Sequence, residues 1–236
     1  MVVELTLPPL LALENVAKVY RTGDLLVEAL RGVSFEVHEG EYVAIMGESG
    51  SGKTTLLGIL GCLDRPTSGT YQLVGQEMSM LPESRRARVR GERIGFVFQA
   101  YNLLPRATAF QNVELPLIYA GVAARDRRPR VLAALAAVGL SNRADHHPNQ
   151  LSGGQQQRAG IARALVTRPR VVLADEATGN LDSVSAEEVL AIFDRLHDEG
   201  TTIAMVTHSL EVGQRASRIL RLADGLLVGD TLAQVA

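Results

Sequence analysis

Five apolar residues, YVAIM at 42–46, run directly into GESGSGKT at 47–54. The first stretch reads as a short strand buried in a sheet. The second matches G-x-x-x-x-G-K-[ST] at every position, and Lys53 to Cys62 continues it as a helix. A glycine-rich turn between a buried strand and a helix lets backbone N–H groups converge on phosphate oxygens, and the helix N-terminus adds a positive partial charge. Gly47, Glu48, Ser49, Gly50, Ser51 and Gly52 form the cradle. Lys53 is expected to reach the β- and γ-phosphates, Thr54 to ligate Mg²⁺, and Thr55 to follow it in the nucleotide site. The chain has two lysines, Lys18 and Lys53, against 22 arginines, so a lysine here marks a task that arginine does not perform.

Outward from this loop, β-branched apolar runs alternate with helical patterns, which predicts an α/β fold. Leu11 to Val19, Val33 to Val37, Gly69 to Val74 and Ile94 to Phe98 read as strands. Helical segments fill Thr108 to about Leu165, including Arg130 to Val138 and Gln155 to Thr167, which Arg168–Pro169 stops. Val171 to Ala174 and Thr202 to Thr207 are buried strands around the helix Ala186 to Leu196. Arg218 to Leu222 and Leu226 to Val228 form a hairpin through Ala223–Asp224–Gly225. The expected organisation is one domain: residues 1–98 and 166–236 form the core, and residues 99–165 a helical insertion.

Composition narrows the classes. A chain of 236 residues with 46% hydrophobic and 21% charged residues can bury a core without staples. The balance 24 − 26 = −2 does not suit a globally basic nucleic-acid binder. A single cysteine, Cys62, excludes an intrachain disulfide and fits a reducing compartment. No apolar run approaches the ~18–20 residues of a membrane-spanning helix. The N-terminal stretch MVVELTLPPLLALENV lacks a basic segment and is expected to lead into a strand rather than to act as a signal peptide.

Asp175 and Glu176 close the apolar run 171–174, at the strand edge where ligands bind in parallel α/β sheets. Asp175 would hold Mg²⁺, and Glu176 would orient or deprotonate the attacking water. Leu151–Ser152–Gly153–Gly154–Gln155 opens a helix with Ser152 at the N-cap. On chemistry alone it is a capped helix start with a second potential anion site.

The LSGGQ segment between a phosphate loop and a Walker B strand resembles the signature of ATP-binding cassette (ABC) ATPases, and the likeness runs from about Leu11 to Gly229. It implies a phosphate-loop NTPase core of mixed and parallel sheet, an N-terminal antiparallel β-subdomain and an inserted α-helical subdomain. It implies ATP and Mg²⁺ as ligands, and ATP hydrolysis as the activity. Ser152, Gly153 and Gly154 would contact the γ-phosphate of ATP held by a second copy. Gln99 resembles the glutamine that senses Mg²⁺ and the attacking water, and His208 the histidine that bonds the γ-phosphate. Tyr20 resembles the aromatic that stacks on adenine, and Asp182 the aspartate at the dimer interface. Proline commonly follows the glutamate in this family; Ala177 stands there in this chain.

GCLDRPTSG at 61–69, FVFQ at 96–99 and NVELPL at 112–117 resemble the macrolide-export and lipoprotein-release group, the MacB and LolD type. That implies a homodimer with sandwiched ATP, an integral-membrane permease partner, no nucleic acid, and a cytoplasmic position at the inner face of the membrane. The alternative is a non-transport ABC ATPase acting on nucleic acid or a soluble complex. The arginines at 85, 86, 88, 90 and 93, with Glu83 and Glu92 nearby, read as a solvated helix face.

Overall fold

The computed structural model describes residues 8–23 and 25–232; the N-terminal tail at 1–7 lies outside them. The central sheet has six strands in the order β10-β9-β3-β8-β7-β6. They are β3 (Tyr42–Met46), β6 (Ile94–Val97), β7 (Val171–Asp175), β8 (Thr202–Thr207), β9 (Arg218–Ala223) and β10 (Leu226–Leu232). All neighbours run parallel except the β9–β10 hairpin. A separate antiparallel sheet, ordered β2-β1-β4-β5, is built from β1 (Leu11–Thr22), β2 (Leu25–Val37), β4 (Ser68–Leu73) and β5 (Gln76–Glu77).

All five residues of β3 are buried. Side chains alternate across a strand, so the two faces feed two cores. Val43 and Ile45 join α1 (Lys53–Leu60) through Leu56, Leu57, Ile59 and Leu60, together with the inner face of the antiparallel sheet. Tyr42, Ala44 and Met46 face the opposite core. That core is formed with α3 (Ala109–Tyr119), α4 (Ala124–Ala137), α5 (Gly153–Leu165) and α6 (Ser183–Asp198). Each fully buried leucine or isoleucine contributes about 1.5–3 kcal/mol. With both layers covering β3, its C-terminal end opens into the loop that follows.

Several elements differ from the sequence reading. β2 begins at Leu25, not near Val33, because the exposed half of this long hairpin carries Leu25, Leu26 and Val27 outward and shows no inward alternation. α4 begins at Ala124, six residues before Arg130: its first half is arginine-rich, contains Pro129, and buries nothing before Val131. The arginine run lies on α2 (Glu83–Arg93), and it is not uniformly a solvated face. Arg86 is only 3% exposed and donates to the Asp64 carbonyl and to Glu83, while Arg90 donates to the Cys62 carbonyl. Two of the five guanidiniums therefore satisfy backbone carbonyls just beyond α1.

Candidate functional site

The loop after β3 is shaped by what cannot fit there. A Cβ on Gly47 would lie 2.2 Å from the Leu222 carbonyl oxygen, and one on Gly52 would lie 2.4 Å from that of Ala29. Gly52 sits at φ +102° as the N-cap of α1 and offers no side-chain cap. The first N–H groups of α1 are therefore left for a ligand. Lys53 is buried, and its ammonium donates to the carbonyls of Gly47 (2.8 Å) and Glu48 (2.6 Å), which orients it along the loop. The Ser51 hydroxyl is buried with no hydrogen-bond partner. Uncapped amides, an orphaned hydroxyl and a buried ammonium together fit a polyphosphate.

A cleft of about 650 Å³ opens over this loop, lined by Val27–Ala29 of β2, by Ser49, Gly50 and Gly52–Thr55, and by Glu176 and His208 from across the sheet. Tyr20 is the cross-strand partner of Val27 and stands at the same rim. Its hydroxyl donates to Asp64 (2.7 Å), which also accepts from Lys18 (2.6 Å), and the Lys18 ammonium lies 4.9 Å from the tyrosine ring centre. Burial and the Asp64 hydrogen bond both raise the Tyr20 phenol above its usual range.

Asp175 is the last residue of β7, and Glu176 begins the next turn in the left-handed region at φ +42°. The Glu176 amide donates to Val206 of β8, so the sheet itself fixes the turn. Burial, then the charge of Glu176, raise the Asp175 carboxyl above the ordinary range, while Lys53 pulls it down. His208 follows β8, and its Nδ1–H donates to the Glu176 carboxylate at 2.9 Å. Gln99 comes from beyond β6. Its amide contacts Asn180 at 3.5 Å, its carbonyl accepts from Asn180 at 3.1 Å, and it covers Gly179 in the turn after Glu176.

The signature residues stand apart. Ser152 caps α5 by accepting from the Gln155 amide, and none of Ser152, Gly153 or Gly154 lines the cleft. A Cβ on Gly153 would approach the Tyr101 hydroxyl to 2.9 Å, and one on Gly154 the Ser185 hydroxyl to 2.8 Å. Asp182 caps α6 through the Ser185 amide, which holds its carboxyl below the ordinary range. The geometry thus gathers Lys53, Thr54, Thr55, Glu176 and His208 at one cleft, while Asp175 directly precedes Glu176, Gln99 bonds to the turn after it, and Ser152, Gly153, Gly154 and Asp182 do not line the cleft. Sequence reading missed Asn180, Tyr101 and the Lys18–Asp64 pair. Asn180 lies two residues before Asp182, but no local pattern signals a side chain that bonds across 81 residues.

Among the described residues no three carboxylate, histidine or cysteine side chains cluster as a metal cage. The donors present, the Thr54 hydroxyl, the Gln99 amide and the Asp175 carboxylate, suit Mg²⁺, which keeps most of its coordination for phosphate and water.

A phosphate loop at the end of a central parallel strand, with an acidic pair at the end of β7, separated from it by β8, defines a phosphate-loop NTPase. The chain belongs to the ABC transporter family, whose model matches residues 30–179. An uncharacterized ABC transporter ATP-binding protein of Thermotoga maritima is 58% identical over 92% of this chain and 93% of its own length. The macrolide export ATP-binding/permease protein MacB of Brucella melitensis is 51% identical over 94% of this chain, which spans 34% of that longer protein. Among solved structures, the ATP-binding cassette MJ0796, a dimer in a post-hydrolysis state bound to ADP and Pi, superposes with a TM-score of 0.88 at 42% identity. It covers 96% of this chain and 100% of its own. This chain is an ABC-type ATPase, the ATP-binding subunit of a transporter, with ATP and Mg²⁺ as its ligands.

Proposed function

We propose that two copies of this chain close head to tail on two ATP molecules and that the closing motion drives an integral-membrane permease of the MacB and LolD type. One observation carries the dimer: the cleft holds Lys53, Glu176 and His208, yet the signature residues lie outside it. Only a second copy can bring Ser152, Gly153 and Gly154 to the γ-phosphate, and Asp182 then lies at the interface. ATP stabilises the closed pair because both chains contact its terminal phosphate, and loss of that phosphate removes the bridge.

In this reading Gly47–Gly52 and Lys53 hold the phosphates, Tyr20 stacks on the base, and Thr55 lies in the nucleotide site. Thr54, Gln99 and Asp175 would hold Mg²⁺, which when bound neutralises charge on the phosphate oxygens. Glu176 takes or orients the proton of the attacking water, and His208, bonded to Glu176, faces the γ-phosphate. Residues 1–98 and 166–236 act as the catalytic core, and residues 99–165 as the moving helical part.

The membrane partner is supported by the word permease in the names of the MacB relatives. Among the described residues no helix is long and apolar enough to cross a membrane. We assign its docking site to the groove of about 860 Å³ lined by Leu63, Phe96, Phe98, Pro116, Tyr119 and Arg163. Tyr119 is 86% exposed at its edge, which suits a short apolar helix from a permease loop at the inner face of the membrane.

Glu176→Gln tests the reading. Turnover falls by about 10²-fold or more while ATP still binds, and a dimer accumulates on gel filtration with Mg²⁺ and ATP. Adding Ser152→Arg returns the protein to a monomer. A Glu176→Gln protein that hydrolyses normally, or a dimer indifferent to Ser152→Arg, overturns it.

A further inference from the structure

The turn after Gln99 holds two consecutive non-glycine residues in the left-handed region, Tyr101 at φ +58° and Asn102 at φ +50°. Such residues persist only where their surroundings hold them. Here both carbonyls point at one side chain. Arg163, in the last turn of α5, donates to the Asn102 carbonyl and, at 2.9 Å, to the Tyr101 carbonyl. The Tyr101 carbonyl lies against α5 at Gly160, three residues earlier, 3.6 Å from where a Cβ would stand, an ordinary contact distance. Burial lowers the guanidinium's proton affinity from its usual value, and two backbone carbonyls are the acceptors that meet its charge.

The clamped turn has two ends that matter. Gln99 exchanges hydrogen bonds with Asn180 beside the Glu176 turn. The Tyr101 hydroxyl donates to the Asn180 carbonyl at 3.4 Å and stands over Gly153. We propose that Arg163 is a positioning residue for hydrolysis: it holds residues 101–102 in a conformation they would not keep alone, and so fixes Gln99 beside the Glu176 turn and Tyr101 against Gly153. It does not line the phosphate-loop cleft, and it acts through the loop. This rests on the composite-site reading above for its effect on turnover, but not for its effect on the loop.

The experiment compares Arg163→Met, Arg163→Lys, Asn102→Gly and the double variant Arg163→Met/Asn102→Gly with the parent. Three quantities are read: amide hydrogen exchange of residues 99–104 without nucleotide, binding of a fluorescent ATP analogue, and turnover. In Arg163→Met the 99–104 amides exchange about tenfold faster while α5 stays protected, as expected when a low-stability segment loses its anchor. Analogue binding stays within about threefold and kcat falls at least tenfold, the signature of an interaction needed in the transition state. Glycine at 102 adopts positive φ freely, so the double variant recovers protection and kcat about threefold over Arg163→Met. Arg163→Lys, with one ammonium for two carbonyls, falls between, and it stands in if Arg163→Met does not fold.

Unchanged exchange at 99–104 in Arg163→Met or Arg163→Lys overturns the clamp. So does a double variant no better than the single. If the parent fails to bind or hydrolyse ATP, the function reading fails, while the exchange measurement still decides the clamp.

Discussion

Replacing Gly52 by alanine tests how the phosphate cradle is built, and Gly50→Ala is its control. Both glycines have positive φ, +102° and +82°. An L-residue in this region costs about 1–2 kcal/mol. At Gly50 that is the whole cost, because a Cβ there meets nothing within 4 Å. At Gly52 the Cβ would fall 2.4 Å from the Ala29 carbonyl oxygen and 3.0 Å from Leu30 Cδ2. Backbone oxygen cannot rotate away, so the loop or β2 must shift, which adds about 1–3 kcal/mol of overpacking. Gly52→Ala is therefore expected to lose roughly 2–5 kcal/mol, a large part of a typical domain's stability, against roughly 1–2 for Gly50→Ala. Urea denaturation without nucleotide measures both. Gly52 is also the N-cap of α1, so its displacement turns the first amides away from the phosphates, and ATP affinity should fall at least about tenfold. Equal stability of the two variants, with parental ATP binding in Gly52→Ala, would refute the claim that Ala29 and the loop backbone are packed against each other.

Three further outcomes follow from the same geometry. Asp175→Asn should abolish Mg²⁺-dependent hydrolysis yet stabilise the nucleotide-free protein. The folded state raises this carboxyl through burial and Glu176, so its ionised form costs stability above the folded pKa, and the advantage of asparagine vanishes as pH falls below the ordinary carboxylate range. Denaturation between pH 4 and 8 checks the sign. Arg218 joins Asp230 (2.7 Å) to Glu41 (3.0 Å), and its hydrogen bond holds the Asp230 carboxyl below the ordinary range against the effect of burial. Arg218→Met should cost about 1–3 kcal/mol at pH 7. The part owed to Asp230 is present above the ordinary carboxylate range and disappears as pH falls through the lowered folded pKa. Tyr20→Ala should weaken ATP binding by about 5–100-fold, the range expected for a lost stacking contact, whereas Tyr20→Phe keeps the ring and should stay within a few-fold in a fluorescence titration.

The parts of the fold that sequence exposed are those written in contiguous residues. YVAIM followed by GESGSGKT forces a buried strand, a tight turn and a helix in that order, and VVLADE ends a second strand in the same way. Both patterns work because backbone geometry and hydrophobic period are local. The start of β2 was illegible because Leu25, Leu26 and Val27 are exposed apolar residues on a hairpin arm, where no core-facing alternation marks a boundary. The buried guanidinium of Arg86 was illegible for a different reason: beside Glu83 it donates to the Asp64 carbonyl, 22 residues back beyond α1, and composition cannot distinguish it from its solvated neighbour Arg88. At the candidate site, each side chain's identity could be read from a motif, but the links between motifs could not. Asn180, Tyr101 and Arg163 tie two loops and α5 together through backbone carbonyls, and a carbonyl leaves no trace in a sequence.

Cysteine cross-linking addresses the composite cleft most directly. The native thiol does not interfere: Cys62 is buried, and burial pushes its pKa up to about 11. Two proteins are mixed, both carrying Glu176→Gln, one with Ser49→Cys in the phosphate loop and the other with Ser152→Cys at the signature. With Mg²⁺ and ATP under mild oxidation, a disulfide-linked heterodimer should form, and it should be absent with ADP or without nucleotide. No cross-link with ATP, or the same yield whatever nucleotide is present, would contradict a site shared between two chains.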